Sequence, residues 1–277
     1  MAETLIVERE FVATMRDPED PDMQQRNAIH TTSGAARYGF EGALVGGVTL
    51  YGWCVPTILE AFGEDWLDRG WIHLLFRRPT YPDTRLRVSI ARDDDGVNQL
   101  LALNEDGEAC LRGTLGLGDA PWHDQFQLSA HRTPDPALAD RPWLTIDNAP
   151  VGQNLRTLAY TITADDARLT AAQLGDVDGL FGGDHPLVHP SVIARHMINL
   201  LAHAYDYGHP SIHASSHIQH LRRVRAGQQL TLTGHFVETY ERRGHHYAVI
   251  DGALLDAAGT EVARLRHTNI YKVAERA

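Results

Sequence analysis

Two long stretches of this chain follow one plan, and any fold must accommodate both. In the first, an apolar helix candidate from Gly47 to Phe62 is followed by strand candidates near 71–78, 84–92, 97–104 and 108–117, the last three separated by turns at Asp95-Gly96 and Asp106-Gly107. In the second, a helix candidate from Ser191 to Tyr207 opens after Pro190 and stops at Gly208. Strand candidates near 211–221, 228–240, 245–255 and 260–272 follow, with turns at Arg243-Gly244 and Ala258-Gly259. The phrase TRLRVSI enters a long strand in the first half where QQLTLTG does so in the second. An ancient duplication is the expected origin.

Between the halves, residues 121–150 carry Pro121, Pro134, Pro136, Pro142 and Pro150 with little periodicity, which reads as a connector over the surface. That places one repeat at 1–120 and the other at 151–277. A helix followed by a run of antiparallel strands is an α+β arrangement, in which a curved sheet wraps a helix and buries it. The first helix suits that role. Val48, Tyr51, Val55, Ile58, Leu59 and Phe62 recur at helical spacing, and Leu50, Cys54 and Ala61 make its other side apolar too. Pro56 is expected to kink or divide it. The second helix is amphipathic, with Ile193, Met197, Leu200, Leu201 and Ala204 opposite His196, Asn199, His203 and Asp206. The two sheets are expected to join edge to edge, since pairing removes exposed strand edges.

Charge narrows the partners. With 25 basic and 36 acidic residues the net charge is -11, which argues against nucleic acid or an anionic membrane as partner. The opening MAETLIVEREFVATMRDPED has acids where a secretory signal has a basic end, and no segment has the roughly 18 unbroken apolar residues that span a bilayer, so a cytoplasmic location is expected. Cys54 and Cys110 read as reduced core residues. No Gly-x-Ser-x-Gly elbow precedes a helix and no glycine-rich phosphate loop follows a strand, which weakens Ser-hydrolase and nucleotide-binding readings.

The segment NAIHTTSGAARYGFEGALVGGVTLYG, residues 27–52, resembles the part of MaoC-like hydratases that runs G-D-x-N-P-x-H, then A-x-x-x-G-F, then a glycine-containing turn into the central helix. Asn27-Ala28-Ile29-His30 stands at N-P-x-H, Gly39-Phe40 at G-F, and Gly46-Gly47 at the turn, where the family usually has His-Gly. Residues 160–181, YTITADDARLTAAQLGDVDGLF, look like the family's lead-in helix ending in Gly-Asp. The resemblance implies a double hotdog fold and addition of water to, or its removal from, an acyl thioester carried by coenzyme A or a carrier protein. No cofactor is implied, and a homo-oligomer is expected. The sequence departs from the pattern at the catalytic pair. The usual Asp lies five residues before the His, and that position is Gln25; in the second half Asp176 matches the Asp, but the position of the His is Phe181.

Hydration of an enoyl thioester needs a group to deprotonate water, a group to manage the proton at Cα, and donors for the enolate oxygen. His30 suits acid/base work, its alternative being a structural histidine that ties down its loop. Asn27 orients a ligand or turns the loop. Asp22 would replace the missing Asp if the loop folds back, against a solvated acidic loop shared with Asp17, Glu19 and Asp20. Backbone N–H groups after Gly46 and Gly47 suit the oxyanion, while close packing also calls for glycine there. Tyr51 is a core residue or a ligand donor. Asp184 with His185 or His189 is a reserve candidate pair from the second half, and Asp184 or His189 is expected to reach into the tunnel wall. The histidines from His185 to His220 lack a zinc spacing, so no metal is expected. By strand alternation His213 and His217 share one face. Three functions remain open: a hydratase or dehydratase, a hotdog thioesterase, and a non-catalytic acyl-thioester-binding protein. The motifs place the single surviving site in the first half.

Overall fold

The computed structural model describes residues 4–15, 17–19, 27–176, 179–208 and 210–274. Among them, the first half contributes β1 (Thr4–Val12), α1 (Thr32–Ala36), α2 (Gly47–Phe62), α3 (Trp66–Arg69), β2 (Gly70–Phe76), β3 (Arg85–Arg92), β4 (Asn98–Leu103) and β5 (Ala109–Leu117). The second contributes β6 (Gln153–Thr161), α4 (Ala164–Gln173), α5 (Pro190–Ala204), β7 (Ile212–His220), β8 (Gln229–Arg242), β9 (His245–Leu255) and β10 (Glu261–Lys272). All strands belong to one sheet in the order β1-β3-β4-β5-β2-β7-β10-β9-β8-β6, with every pairing antiparallel. Read outward from the centre, the two halves have the same order, so equivalent strands β2 and β7 meet at the seam.

Each helix lies against its own half of the sheet, and α2 and α5 touch each other. Leu50, Tyr51, Trp53, Cys54, Val55 and Ile58 are all buried, which explains why α2 is apolar on every side. Pro56 leaves the helix undivided, contrary to one branch of the sequence expectation; packing on all sides outweighs one missing N–H. The amphipathic α5 buries Ile193, Met197, Leu200 and Leu201. It approaches the sheet where Gly234 of β8 pairs with Gly252 of β9. A Cβ on Gly234 would fall 2.5 Å from the Leu200 side chain, and one on Gly252 would fall 2.9 Å from Met197 Sδ. Only glycine at both positions lets the helix come so close.

Sequence reading missed both edge strands. The lead-in before α2 contains β1, of which Val7 alone is buried, so half-buried alternation never develops. Edge strand β6 buries Leu155 and Thr157, while its edge position tolerates Gln153, Asn154 and Arg156. The connector crosses the outer face of the second half. There the Ala120 N–H donates to Gln219 Oε1 at 2.8 Å, and the Gln127 N–H donates to Asp251 Oδ2 at 2.7 Å. No helix among the described residues is long and apolar enough to cross a membrane.

Candidate active site

The α2 helix starts without a side-chain cap. Gly46 is its N-cap, and the N–H groups of Gly47 and Val48 precede the first helical bonds, which run from Thr49 and Leu50 to the Gly46 carbonyl. The chain reaches that start through Leu44 and Val45, and both are fixed by backbone bonds: Leu44 N–H donates to the Ile29 carbonyl at 2.8 Å, and Val45 N–H to the Thr80 carbonyl at 2.8 Å. The first of these bonds ties the helix start to the short turn Ala28–His30. His30 therefore faces the helix N-terminus as a consequence of backbone pairing. A Cβ placed on Gly46 would lie 3.6 Å from His30 Cε1, within ordinary contact.

The imidazole has a defined tautomer. Nδ1 sits 2.7 Å from the Leu44 carbonyl oxygen, which can only accept, so Nδ1 carries the hydrogen and the neutral ring leaves Nε2 bare. Burial pushes the His30 pKa below its usual value, and the bond to Leu44 offsets part of that effect. The ring is accordingly neutral near pH 7 and presents a lone pair. Asn27 Nδ2 approaches that lone pair at 3.4 Å, a long contact. The same amide makes two shorter bonds to the second half: Nδ2 donates to the Ser211 carbonyl at 2.8 Å and Oδ1 accepts from the Ser211 N–H at 3.2 Å. Asn27 thus locks the His30 turn onto the segment that enters β7. Sequence gave no hint of Ser211, because its role is carried by backbone atoms.

The other wall is aromatic. A Cβ on Gly47 would come 3.1 Å from the Phe76 ring, so any other residue would push the ring back by a few tenths of an ångström. Phe76 in turn packs against His213, with ring centroids 4.5 Å apart. Behind it lies a buried polar group on the inner face of β7 and β10. His213 Nε2 is 2.7 Å from Ser216 Oγ, which is 3.4 Å from His267 Nδ1, and Asn269 pairs with His213 across the strands. Among the described residues His213 Nδ1, His267 Nε2 and both amide atoms of Asn269 have no hydrogen-bond partner.

His213 and His217 do not share a face, contrary to strand alternation. A register shift at Thr268/Asn269 leaves Ala214 without a partner, and this bulge reverses the alternation. His213 turns inward to His267, at 4.2 Å between centroids, while His217 faces outward and stacks on His73.

Of the remaining candidates, Asp22 and Gln25 fall outside the described residues. Tyr51 is fully enclosed one turn into α2, with its hydroxyl unpartnered among the described residues and burial pushing its pKa well above the usual 10. His189 is the N-cap of α5: its Nδ1 accepts from the Ser191 N–H at 3.2 Å, and burial holds its pKa down at about 3. Phe181 covers the same histidine, ring centroids 4.6 Å apart. Asp184 and His185 lie instead at an exposed groove with Pro186 and Arg225, so they form no pair with buried His189. On α5, His196 Nδ1 donates to the Val192 carbonyl at 2.8 Å and its ring stacks on Tyr160, while His203 Nε2 bonds the Asp135 carbonyl at 3.1 Å. Those two serve structure.

No protein-family model matches the sequence, and no curated protein does. Solved structures do resemble it. A protein described as a MaoC-domain dehydratase, from Chloroflexus aurantiacus, is 13% identical with a TM-score of 0.59, over 97% of this chain and 94% of that one. Rv0216 of Mycobacterium tuberculosis, described as a double hotdog, is 12% identical with a TM-score of 0.58, over 95% of each chain. A protein described as a thioesterase, from Novosphingobium aromaticivorans, is 14% identical with a TM-score of 0.50, over 82% of this chain and 88% of that one. The chain therefore has the double hotdog fold, each sheet half wrapping one helix.

Proposed function

We propose that this double hotdog protein is a hydratase/dehydratase of enoyl and 3-hydroxyacyl thioesters, with one site per chain at the start of α2. What carries the proposal is the placement of His30: a neutral imidazole with a bare Nε2, held against an uncapped helix start made of Gly46 and Gly47. A thioester carbonyl directed at the N–H groups of Gly47 and Val48 would set its oxygen, where the enolate's negative charge develops, against the partial positive charge of the helix N-terminus. In the hydration direction Nε2 takes a proton from water as the oxygen attacks Cβ, and the resulting imidazolium returns a proton to Cα. Dehydration reverses both transfers. The Nδ1–Leu44 bond persists throughout and favours the imidazolium in the transition state, as the carbonyl partner of a catalytic histidine does.

A second reading has one observation in its favour: among the described residues His30 makes no ion pair with a carboxylate, which suits a protein that binds an acyl thioester without turning it over. Incubation with enoyl-, 3-hydroxyacyl- and saturated acyl-CoA separates the readings. Loss of enoyl absorbance without thiol release supports the hydratase. Thiol release from the saturated thioester would mean a thioesterase, and binding without either change would mean a binding protein.

A further inference from the structure

The inner face of the seam holds polar groups that the chemistry at His30 does not use. Ser216 stands opposite Leu74 and His267 opposite Ser216, so both share the face that carries Leu74, Ile218 and Leu265 into the core beside α2. His213 and Asn269 join them, opposite one another across β7 and β10. His213, Ser216, His267 and Asn269 are 8%, 2%, 0% and 1% exposed. Yet His213 Nδ1, His267 Nε2 and both amide atoms of Asn269 have no hydrogen-bond partner among the described residues. Polar atoms so deeply buried are costly unless something pairs with them.

The cluster adjoins the His30 site in two ways. The Phe76 ring lies against Gly47 on one side and packs on His213 on the other, and it is partly exposed where the four polar residues are not. His213 also follows directly on the segment that anchors the His30 turn: Asn27 holds both backbone groups of Ser211, and Ile212 packs on Ile29, Ala35 and Leu44. An acyl chain whose carbonyl sits at the α2 start, and which runs inward past Phe76, would meet this cluster next.

The hydrogen-bond pattern selects the group that fits. Burial keeps both rings neutral near pH 7, with the pKa of His267 held at about 3 and that of His213 well below its usual value. His213 Nε2 and His267 Nδ1 both address Ser216 Oγ, at 2.7 and 3.4 Å. A hydroxyl has one hydrogen, so Ser216 donates to one ring and accepts from the other. Each neutral ring has one N–H, and therefore of the two unused ring nitrogens one donates and the other accepts. Asn269 adds a further donor and acceptor. Such a set suits a group that gives and takes a hydrogen bond at once, and its lack of charge suits no carboxylate.

We infer that His213, His267 and Asn269 form a subsite for a hydroxyl on the acyl chain, beyond the reacting carbons, so that a hydroxylated acyl thioester is taken in preference to a plain hydrocarbon one. The inference rests on the proposed function and deepens it, because it names the substrate class. Ser216 sets the direction of the ring hydrogens, and Phe76 is the side chain the acyl group passes on its way in.

Calorimetry with acyl-pantetheine ketones, in which a methylene replaces the thioester sulfur, tests this without turnover. The probes are the hexanoyl form, three forms hydroxylated at one of its last three carbons, and the form carboxylated at its end. The best hydroxylated probe should bind wild type about tenfold more tightly than the plain one, the scale of a net hydrogen bond. In Asn269→Leu and in His213→Phe that ratio should fall toward one, with the melting temperature showing that each variant is folded. The wild-type ratio decides by itself if a variant does not fold. Equal affinities for the plain and all hydroxylated probes, tighter binding of the carboxylated one, or a ratio unaltered in both folded variants would overturn the inference. If the plain probe binds as well as the hydroxylated ones and enoyl thioesters are hydrated, the subsite falls and the hydratase reading stands. If the hydroxyl preference is found while wild type turns over no thioester, the subsite stands and the hydratase reading falls.

Discussion

The rings of His73 and His217 stack face to face, 3.8 Å between centroids and 12° from parallel. They are paired residues on β2 and β7, midway along the seam that runs from Trp71 opposite Gln219 to Leu75 opposite Ser215. A pseudo-two-fold axis passes between them and relates the halves, so each feature of one repeat can be compared with its counterpart. The comparison is sharpest at the helix starts. Gly46 opens α2 with His30 against it, whereas His189 opens α5 with Phe181 against it. The imidazole has changed sides: in the first half it faces the helix from the preceding turn, and in the second it belongs to the cap and spends Nδ1 on Ser191.

That asymmetry yields the first prediction. His30→Ala should lower kcat on a converted thioester by about 100-fold or more, the scale of a lost acid/base group, with thioester affinity nearly unchanged. Asp176→Ala, in the half where Phe181 covers the helix cap, should change kcat several-fold at most. Steady-state kinetics of both variants decide the matter; full activity of His30→Ala places the chemistry elsewhere.

Much of the architecture was written in local signals. The α2 helix runs over the Gly47–Phe62 span that its apolar spacing marks, and Pro190 marks the first turn of α5. Other features arise only when distant segments meet. β1 and β6 are strands because a neighbour's edge is there to pair with; the side chains of β1 are mostly solvated, and β6 fully buries only Leu155 and Thr157. Reversal of His213 relative to His217 comes from one unpartnered residue, Ala214, which no alternation pattern reveals. The motif marked His30 and Gly46, which the fold brings side by side, but the lock of Asn27 on Ser211 spans 184 positions and ends on backbone atoms. Residue type carries no record of such a bond.

The tautomer of His30 gives a pH profile. In the proposed mechanism activity needs the neutral ring, and burial holds its pKa below the usual 6.5. The acid limb of kcat/KM should therefore lie below pH 6.5, with activity level across pH 7 on the His30 side. An acid limb centred above 6.5 would mean that a nearby carboxylate charges the ring, and would point to Asp22.

Asn27 joins the halves as well as touching His30. Asn27→Ala removes two bonds to the partly buried Ser211 backbone, a loss of about 1–3 kcal/mol. The melting temperature should fall by roughly 2–8 °C. Turnover should fall with it, because the His30 turn loses its anchor; a drop in stability with unchanged kcat would show that the anchor is not needed for chemistry.

Asn269 should respond in the opposite sense. It is 1% exposed and both of its amide atoms lack a partner among the described residues, so it is held at a desolvation cost of about 1–3 kcal/mol. Asn269→Leu removes that cost at similar volume and should raise the melting temperature by a few degrees. Calorimetric scanning provides the check, and a large decrease would show that the amide is satisfied in the folded protein.

Acid should destabilise the fold through its buried histidines. His189, His220 and His267 are at most 1% exposed, and burial holds their pKa values at about 3, 4 and 3. In the unfolded chain each titrates near 6.5. Above that pH all three are neutral in both states and their full contribution to stability is present. As pH falls below 6.5 the unfolded state takes up protons that the folded state refuses, so the equilibrium moves toward unfolding until the folded values near 3–4 are reached. Well inside that window each histidine costs on the order of 1.4 kcal/mol per pH unit. Urea unfolding at pH 7.5, 6, 5 and 4.5 should show a midpoint that is steady at the top and drops steeply below 6. His267→Gln should flatten that drop by about one histidine's share, since a residue that cannot take a proton removes its part of the linkage; an equally steep drop in the variant would show that His267 already titrates normally in the folded protein.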